Sequence, residues 1–496
     1  MVTSVITRLG TYFADSPMVI ASECLKLNDT EKQIFTLLKE FLRDQELPLT
    51  LRVAGGWVRD KLLGQESHDC DIAIDKMMGQ PFAEQLRSYL IHRQVAISAY
   101  GVIQANPDRS KHLETATLTI FGYPVDFVNL RSEKYTAHSR IPIIQLGSPL
   151  EDALRRDLTI NALFYNINED IVEDYCGTGF ADLEAHLVRT PLPPKETLLD
   201  DPLRVLRVIR FASKLQFSID TQLREAMSDI EVRKALHDKI SRERVGIEVE
   251  KILHDKNCLM GLHLMSELRM FRLVFDPQPD DPYAEKRMHY CDDEKILRLL
   301  SLLKTVLEDR ILSCSYNKWV ALLTISTLPW LGLTRAKKAG EEAIVEVIIR
   351  DSLKLRNQDY KNVMQLHNQI PSLLDAVNSN SFEPVVFGRL VRAMGSHWRI
   401  GFDAAYVFAI LEQINSQNHE DTRKQFISFE QKVIDFELDE AWSWKPVLSG
   451  GDIQSVLGIP AGRYVGELMQ RIMDWQFTNP KASRKEAITH LLTLGS

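Results

Sequence analysis

No stretch of this chain approaches the ~20 consecutive apolar residues that a membrane-crossing helix requires, so a helical membrane protein is excluded and no membrane partner is expected. Cysteine is scarce and scattered. Cys24, Cys70, Cys176, Cys258, Cys291 and Cys314 show no CxxC spacing, which argues against a zinc site or a disulfide framework and for a reducing, intracellular compartment. A surplus of positive charge is also missing: 60 Lys and Arg against 68 Asp and Glu leave a formal net charge of −8. Bulk, histone-like binding of nucleic acid rests on neutralising phosphates, so that class is excluded, while a local basic stripe remains allowed. There is no repeat of fixed period and no low-complexity tract. What is present is 45% hydrophobic and 26% charged over 496 residues, an ordinary soluble composition. At ~100 to 200 residues per domain the chain holds three or four.

The leader Met1–Pro17 carries hydroxyl residues, one base (Arg8) and no acid before Asp15, the composition of a weak transit peptide or of a plain disordered leader. Met18 offers a second start, so the expectation is a cytoplasmic or nuclear protein with a mitochondrial form made from Met1. From about Leu51 to Asn166, apolar and β-branched runs alternate with helical stretches, and Val53, the Gly-Gly turn and Trp57–Leu63 read as strand, turn, helix. Beyond about Thr197 the pattern is helical almost without interruption. Pro191–Lys195 and Phe275–Pro282 read as joints, and a small module starts near Pro446.

Chemistry enters with GGWVRDKLLGQESHDCDIAID, where Asp69 and Asp71 stand one residue apart in a strand-like setting. Residues i and i+2 of a strand share a face, so both carboxylates reach one site and suit magnesium against a triphosphate. One or two such ions would activate an attacking hydroxyl and stabilise the leaving group. Taken alone, DxD also fits paired acids on a solvated edge. The glycines upstream add specificity, since Gly55 and Gly56 permit close backbone approach to a phosphate at the start of a helix. Arg59 has two readings, a contact to the triphosphate or a surface ion pair with Asp60. Asp126, in YPVDFVNLR, is a third carboxylate or the buried partner of Arg131.

Gly55, Gly56, Arg59, Asp60, Asp69 and Asp71 in this spacing resemble the first motif of nucleotidyltransferases related to polymerase beta, in the class that holds bacterial and eukaryotic CCA-adding enzymes and bacterial poly(A) polymerases. RRDLTINALFYN (Arg155–Asn166) resembles the second motif, which implies that Arg156 meets phosphate and that Asp157 and Asn161 bond the ribose. VEDYCGTGFADL (Glu173–Leu183) resembles the third, with Asp174, Gly177, Gly179 and Asp182 at the matching positions, and the resemblance implies a segment that moves between C and A addition. KISRERVGIEVEKIL (Lys239–Leu253) is similar to the fifth and reads as a capped amphipathic helix with a structural role.

DDPLRVLRVIRFASKL is similar to the fourth motif, and its chemistry is explicit. Asp201 and Arg204, three apart at a helix start that tolerates Pro202, lie on neighbouring surface. A carboxylate accepts from an exocyclic amine while a guanidinium donates to a ring nitrogen or carbonyl, a pattern that fits cytosine and adenine. Uracil and guanine present the inverse pattern, and a site built for a hydrogen bond rejects such ligands by about 10⁴ or more. Arg207 and Arg210 continue the basic face.

SKHLETAT (Ser110–Thr117), DFVNLRSEKYT, IIRDSLKL, the surroundings of Trp398 and the terminal WQFTNP resemble the eukaryotic, fungal branch. The implied architecture is α+β: a leader (1–30), a polymerase-beta-like nucleotidyltransferase head (31–180), then an all-helical neck (181–275), body (276–445) and tail (446–496). The implied activity is template-free addition of CCA, or part of it, to tRNA from CTP and ATP with Mg²⁺, with no DNA partner. Arg463, Arg471, Lys481 and Arg484 are candidate contacts to tRNA phosphates, and scattered surface cations explain each one as well. Trp398, Trp442, Trp444 and Trp475 read as core. Addition of only CC or only A, poly(A) synthesis, and a non-catalytic tRNA-binding module stay open as alternatives. The wording at Cys176–Thr178 bears on the first of these.

Overall fold

In the computed structural model, the residues described are 17–67, 69–103, 115–136, 139–275, 293–310, 316–337, 340–412 and 419–495. The leader up to residue 16, positions 110–114 of the fungal-type segment, the joint beyond Phe275, Cys291 and Cys314 lie outside them. The chain divides into two compact units, Met1–Leu264 and Met265–Ser496.

The apolar runs of the first unit become strands: β1 (Met18–Ala21), β2 (Leu51–Ala54), β3 (Cys70–Ile74), β4 (Ile97–Ile103), β5 (Thr115–Ile120), β6 (Tyr123–Asn129), β7 (Arg131–Thr136), β8 (Ser139–Leu146), β9 (Phe164–Asn166) and β10 (Ile171–Asp174). Eight of them form one sheet in the order β1-β10-β9-β2-β3-β6-β5-β4, and β7 pairs with β8 separately. β2 and β3 at its centre are nearly continuous apolar runs, as strands covered on both faces must be. Parallel pairing of β3 with β6 sets Asp71 opposite Asp126, and antiparallel pairing of β5 with β6 sets Thr117 opposite Asp126.

Helices α1 (Asp29–Asp44), α2 (Gly56–Leu62), α3 (Gly79–His92), α4 (Pro149–Leu154) and α5 (Gly179–Glu184) belong to the same unit. A reciprocal Asn28/Glu31 capping box starts α1, whose Ile34, Phe35, Leu38 and Phe41 are buried. Glu31 also accepts from Trp57 Nε1 at 3.2 Å and pairs with Lys61 at 2.9 Å, both on α2. Lys61 and Glu31 are each 1% exposed, so α2 is clamped to α1 by a fully buried ion pair. This clamp fixes the helix that follows the Gly-Gly turn. The sequence shows both charges without showing their burial.

Helix α6 (Arg204–Leu215) packs on α7 (Arg242–His254), and the parallel pair Leu187–Val188 with Ser218–Ile219 interrupts the otherwise helical neck. α6 begins at Arg204, so Pro202 sits in the preceding turn and not inside the helix. Ser241 stands at the N-cap of α7 in extended conformation, yet its side chain makes no capping bond.

Among its described residues the second unit is mostly helical, with one strand hairpin, Thr334–Lys337 with Gly340–Ala343. α8 (Asp293–Arg310), α9 (Trp398–Leu411) and α10 (His419–Asp435) meet at Arg310, which pairs with Asp403 at 3.0 Å and donates to Glu430 at 2.8 Å. Trp398 is core, its indole N–H bonded to the Asp439 carbonyl at 3.0 Å. Trp444 and Trp475 are partly buried, stacked on Phe477 and His490. Trp442, against expectation, is exposed. Leu448, Ile453, Leu468, Ile472 and Leu491 form a separate apolar cluster in the last segment. The four described cysteines are free thiols, and no helix among the described residues is long and apolar enough to cross a membrane. Replacing Arg310 by Ala strands two mostly buried carboxylates and is expected to cost about 3–5 kcal/mol, read as a lower midpoint in urea unfolding.

Candidate functional site

Between β2 and α2 the chain turns at Gly55 with φ +79°, a conformation that favours glycine. A methyl group there would lie 2.7 Å from Arg156 Nη1, so the missing side chain makes room for a guanidinium. The Gly55 amide donates to the Leu163 carbonyl at 3.1 Å, which corrects the expectation that it is free for a phosphate. Arg156 is itself anchored: Nε and Nη2 donate to Asp152 Oδ2 at 3.0 and 2.8 Å, Nη1 donates to the Asn161 carbonyl at 3.2 Å, and its cation lies 5.3 Å from the Phe164 ring centre. Asp152 Oδ1 accepts from Arg155 Nε at 3.0 Å and from the Arg131 amide at 3.1 Å. Burial opposes ionisation of Asp152, but Arg156 and Arg155 outweigh it and bring the carboxyl down to about 2. The sequence reading missed Asp152, although an acid three and four residues before two arginines is a legible helical pairing.

Asp71 is half-buried in β3, whereas Asp69 is exposed and stands just ahead of that strand, close enough to act on Asp71. Burial, reinforced by Asp69 and Asp126, pushes Asp71 up to about 6, with Arg156 and Arg131 pulling the other way. Asp126 accepts a hydrogen bond from the Thr117 hydroxyl. No group of three His, Cys, Asp or Glu among the described residues forms a ready-made metal cage. Neighbouring carboxylates nonetheless suit a cation that completes its shell with water and phosphate oxygens.

A second network links this loop to α6. Arg59 is 3% exposed; its guanidinium is engaged by Asp60, by the Asn161 side chain and by the Phe211 ring 5.0 Å away. Asn161 donates to Asp157 Oδ1 at 3.1 Å, and Asp157 Oδ2 accepts from Arg207 Nε at 2.7 Å. Burial of Asp157 is overcome by Arg207, Asn161 and Arg204, bringing it down to about 2. Arg210 pairs with Glu248 of α7 at 2.6 Å and lies 4.1 Å from Phe211, so three guanidinium groups surround one aromatic ring. Arg59, Asp157, Asn161 and Arg207 thus interlock.

Asp201 and Arg204 do not pair through their side chains. Arg204 Nη2 donates to the Arg155 carbonyl at 2.6 Å, while Asp201 accepts from the Leu203 amide at 3.2 Å and from Arg244 Nη2 at 2.9 Å. Arg204 therefore touches the residue next to Arg156, and Arg156 acts electrostatically on Asp71.

Residues 51–189 match the Poly A polymerase head domain, and residues 216–281 match the probable RNA and SrmB-binding site of polymerase A. The chain is 35% identical to the mitochondrial CCA tRNA nucleotidyltransferase of Saccharomyces cerevisiae over 96% of its own length and 95% of that protein. It is also 35% identical to the tRNA nucleotidyltransferase cca1 of Schizosaccharomyces pombe, over 97% of its length and 99% of that protein. The chain belongs to the CCA tRNA nucleotidyltransferase family. A Thermotoga maritima CCA-adding enzyme solved with tRNA shares the fold, with a TM-score of 0.64 at 21% identity, covering 97% of this chain and 100% of that one.

The third motif of the CCA tRNA nucleotidyltransferase family is tightly tied here. Asp174 accepts from the amides of Cys176, Gly177, Gly179 and Phe180 at 2.9, 3.0, 2.7 and 3.3 Å. Gly177 has φ +73°, whereas Gly179 is needed for close packing, since a methyl group there would meet Leu163 at 2.8 Å. Asp182 accepts from Thr159 at 2.7 Å and pairs with Arg189. Of the four tail cations, Arg463, Lys481 and Arg484 pair with Glu467, Glu437 and Asp452 on the surface, and Arg471 is exposed. Such exposed pairs exchange readily for phosphates.

Gly55→Ala forces a side chain into a positive-φ position and against Arg156. It should lower stability by about 1–3 kcal/mol in thermal unfolding and raise KM for nucleotide. Asp126→Asn removes a like charge beside Asp71, so the Asp71 midpoint in metal-free protein should fall below about 6, observable by NMR titration.

Proposed function

We propose that this chain builds the CCA end of tRNA from CTP and ATP without a nucleic-acid template. The observation that carries the reading is the bond from Arg204 to the Arg155 carbonyl, because it ties the start of α6 to the backbone beside Arg156, whose charge acts on Asp71. Asp201 and Arg204 take the Watson–Crick edge of the incoming cytosine or adenine, with the carboxylate accepting and the guanidinium donating. Arg156, presented by Asp152 over Gly55, meets the triphosphate, while Asp157 and Asn161 bound the ribose and Arg207 supports them. Magnesium held by Asp69 and Asp71 supplies, when bound, charge for the phosphates and acidity for the tRNA 3′ hydroxyl. Asp126, steadied by Thr117, is the third carboxylate of the centre.

The 3′ hydroxyl gives up its proton to water as its oxygen bonds to the α-phosphorus; the bond from that phosphorus to the bridging oxygen breaks, and pyrophosphate carries away the electron pair. Arg463, Arg471, Lys481 and Arg484 meet tRNA phosphates. A mitochondrial form fits the name of the Saccharomyces relative, and the Met18 start would supply the cytoplasmic or nuclear form.

Transcripts ending before CCA, after C and after CC, each offered CTP or ATP alone and then both, test the reading. Full CCA addition gives C, C and A in order. A product that stops after CC, or growth only on CC ends, replaces it by a partial reaction. Asp71→Asn should abolish all products, with far-UV circular dichroism and the melting temperature close to those of the parent.

A further inference from the structure

Helix α7 carries the fifth motif, to which the sequence gives a structural role, and most of it fits that description. Val245, Val249, Ile252 and Leu253 are buried, and Glu248 holds Arg210. One side chain does more. Arg244 leaves the helix toward the turn before α6 and donates from Nη2 to Asp201 Oδ2 at 2.9 Å, across 43 residues of sequence.

Asp201 thus has two donors on two different oxygens, the Leu203 amide on Oδ1 at 3.2 Å and Arg244 on Oδ2. An aspartate side chain has only two torsions, and donors at both oxygens fix the plane of the carboxylate as well as its direction. Each carboxylate oxygen accepts more than one hydrogen bond, so the same plane keeps acceptor capacity for a third donor. Of the two anchors, the Leu203 amide is local and is present wherever this turn forms. The Arg244 bond is the long-range one, and it depends on α7 being packed against α6.

We propose that Arg244 is a positioning residue for base selection, holding the Asp201 carboxylate in the orientation that accepts from the exocyclic amine of cytosine or adenine. This rests on the assignment of Asp201 as a base-reading residue. Without Arg244 the carboxylate keeps only its local bond and turns away from the base edge. The loss falls on CTP and ATP, which need the acceptor, and spares UTP and GTP, which present a carbonyl there and gain nothing from it. General loosening of the neck would depress all four nucleotides alike.

The test measures kcat/KM for CTP, UTP, ATP and GTP with the full chain, on tRNA ending before CCA and after CC, for Arg244→Met, Arg244→Lys, Asp201→Ala and the Arg244→Met/Asp201→Ala double variant. Arg244→Met should lower the CTP:UTP and ATP:GTP ratios at least tenfold through the cognate nucleotides, and Arg244→Lys should recover part of that loss. The double variant should be no less selective than Asp201→Ala, because Arg244 acts through Asp201. Equal loss for all four nucleotides, or unchanged ratios in Arg244→Met, overturns the proposal. If Asp201→Ala keeps its ratios, the base-reading assignment itself fails; if it loses them while Arg244→Met does not, only the role of Arg244 fails. Should Arg244→Met not fold, Arg244→Gln and Arg244→Lys carry the same comparison.

Discussion

Two buried carboxylates, Asp152 and Asp157, hold the arginines of the first unit where chemistry needs them. Positive charges gathered around a triphosphate repel one another while the site is empty, and each loses hydration on burial. Asp152 and Asp157 answer both costs. Each takes two oxygens' worth of donors, each is held ionised to about 2 against its own burial, and each binds an arginine from a motif that handles nucleotide. Asp152 steers Arg156 over Gly55; Asp157, through Asn161 and Arg207, ties the Gly-Gly turn to α6.

The same charges run in the opposite sense at the metal-suited end. Burial, with Asp69 and Asp126 adding to it, pushes Asp71 up to about 6 against the pull of Arg156 and Arg131. One site therefore contains carboxylates stabilised by cations and carboxylates destabilised by each other. The first kind is already neutralised by its arginines. The second kind suits a hard divalent cation. This contrast, more than proximity alone, separates supporting acids from reacting ones.

Aromatic packing joins the pieces. Phe211, with Arg59, Arg207 and Arg210 around it, connects α2, α6 and, through Glu248, α7. A shift of α6 relative to the sheet would disturb both the turn that carries Asp201 and the loop beneath Arg156. Residues 174–180, with Asp174 gathering four amides, form a compact turn held by internal bonds.

Local patterns carried much of this fold and site. Apolar and β-branched runs marked strands, Gly-Gly before an apolar helix gave the turn, and the spacing of acids and arginines, with the family resemblance, named Asp71, Arg156, Asp201 and Arg204, because each depends on neighbours a few residues away. Tertiary structure alone decided how they are used. That Asp69 lies outside the strand, that the Gly55 amide is spent on Leu163, that Lys61 is buried on Glu31 and that Arg244 reaches Asp201 all depend on partners distant in sequence. A sequence states which side chains carry charge; burial and the partner across the fold decide whether that charge is structure or chemistry.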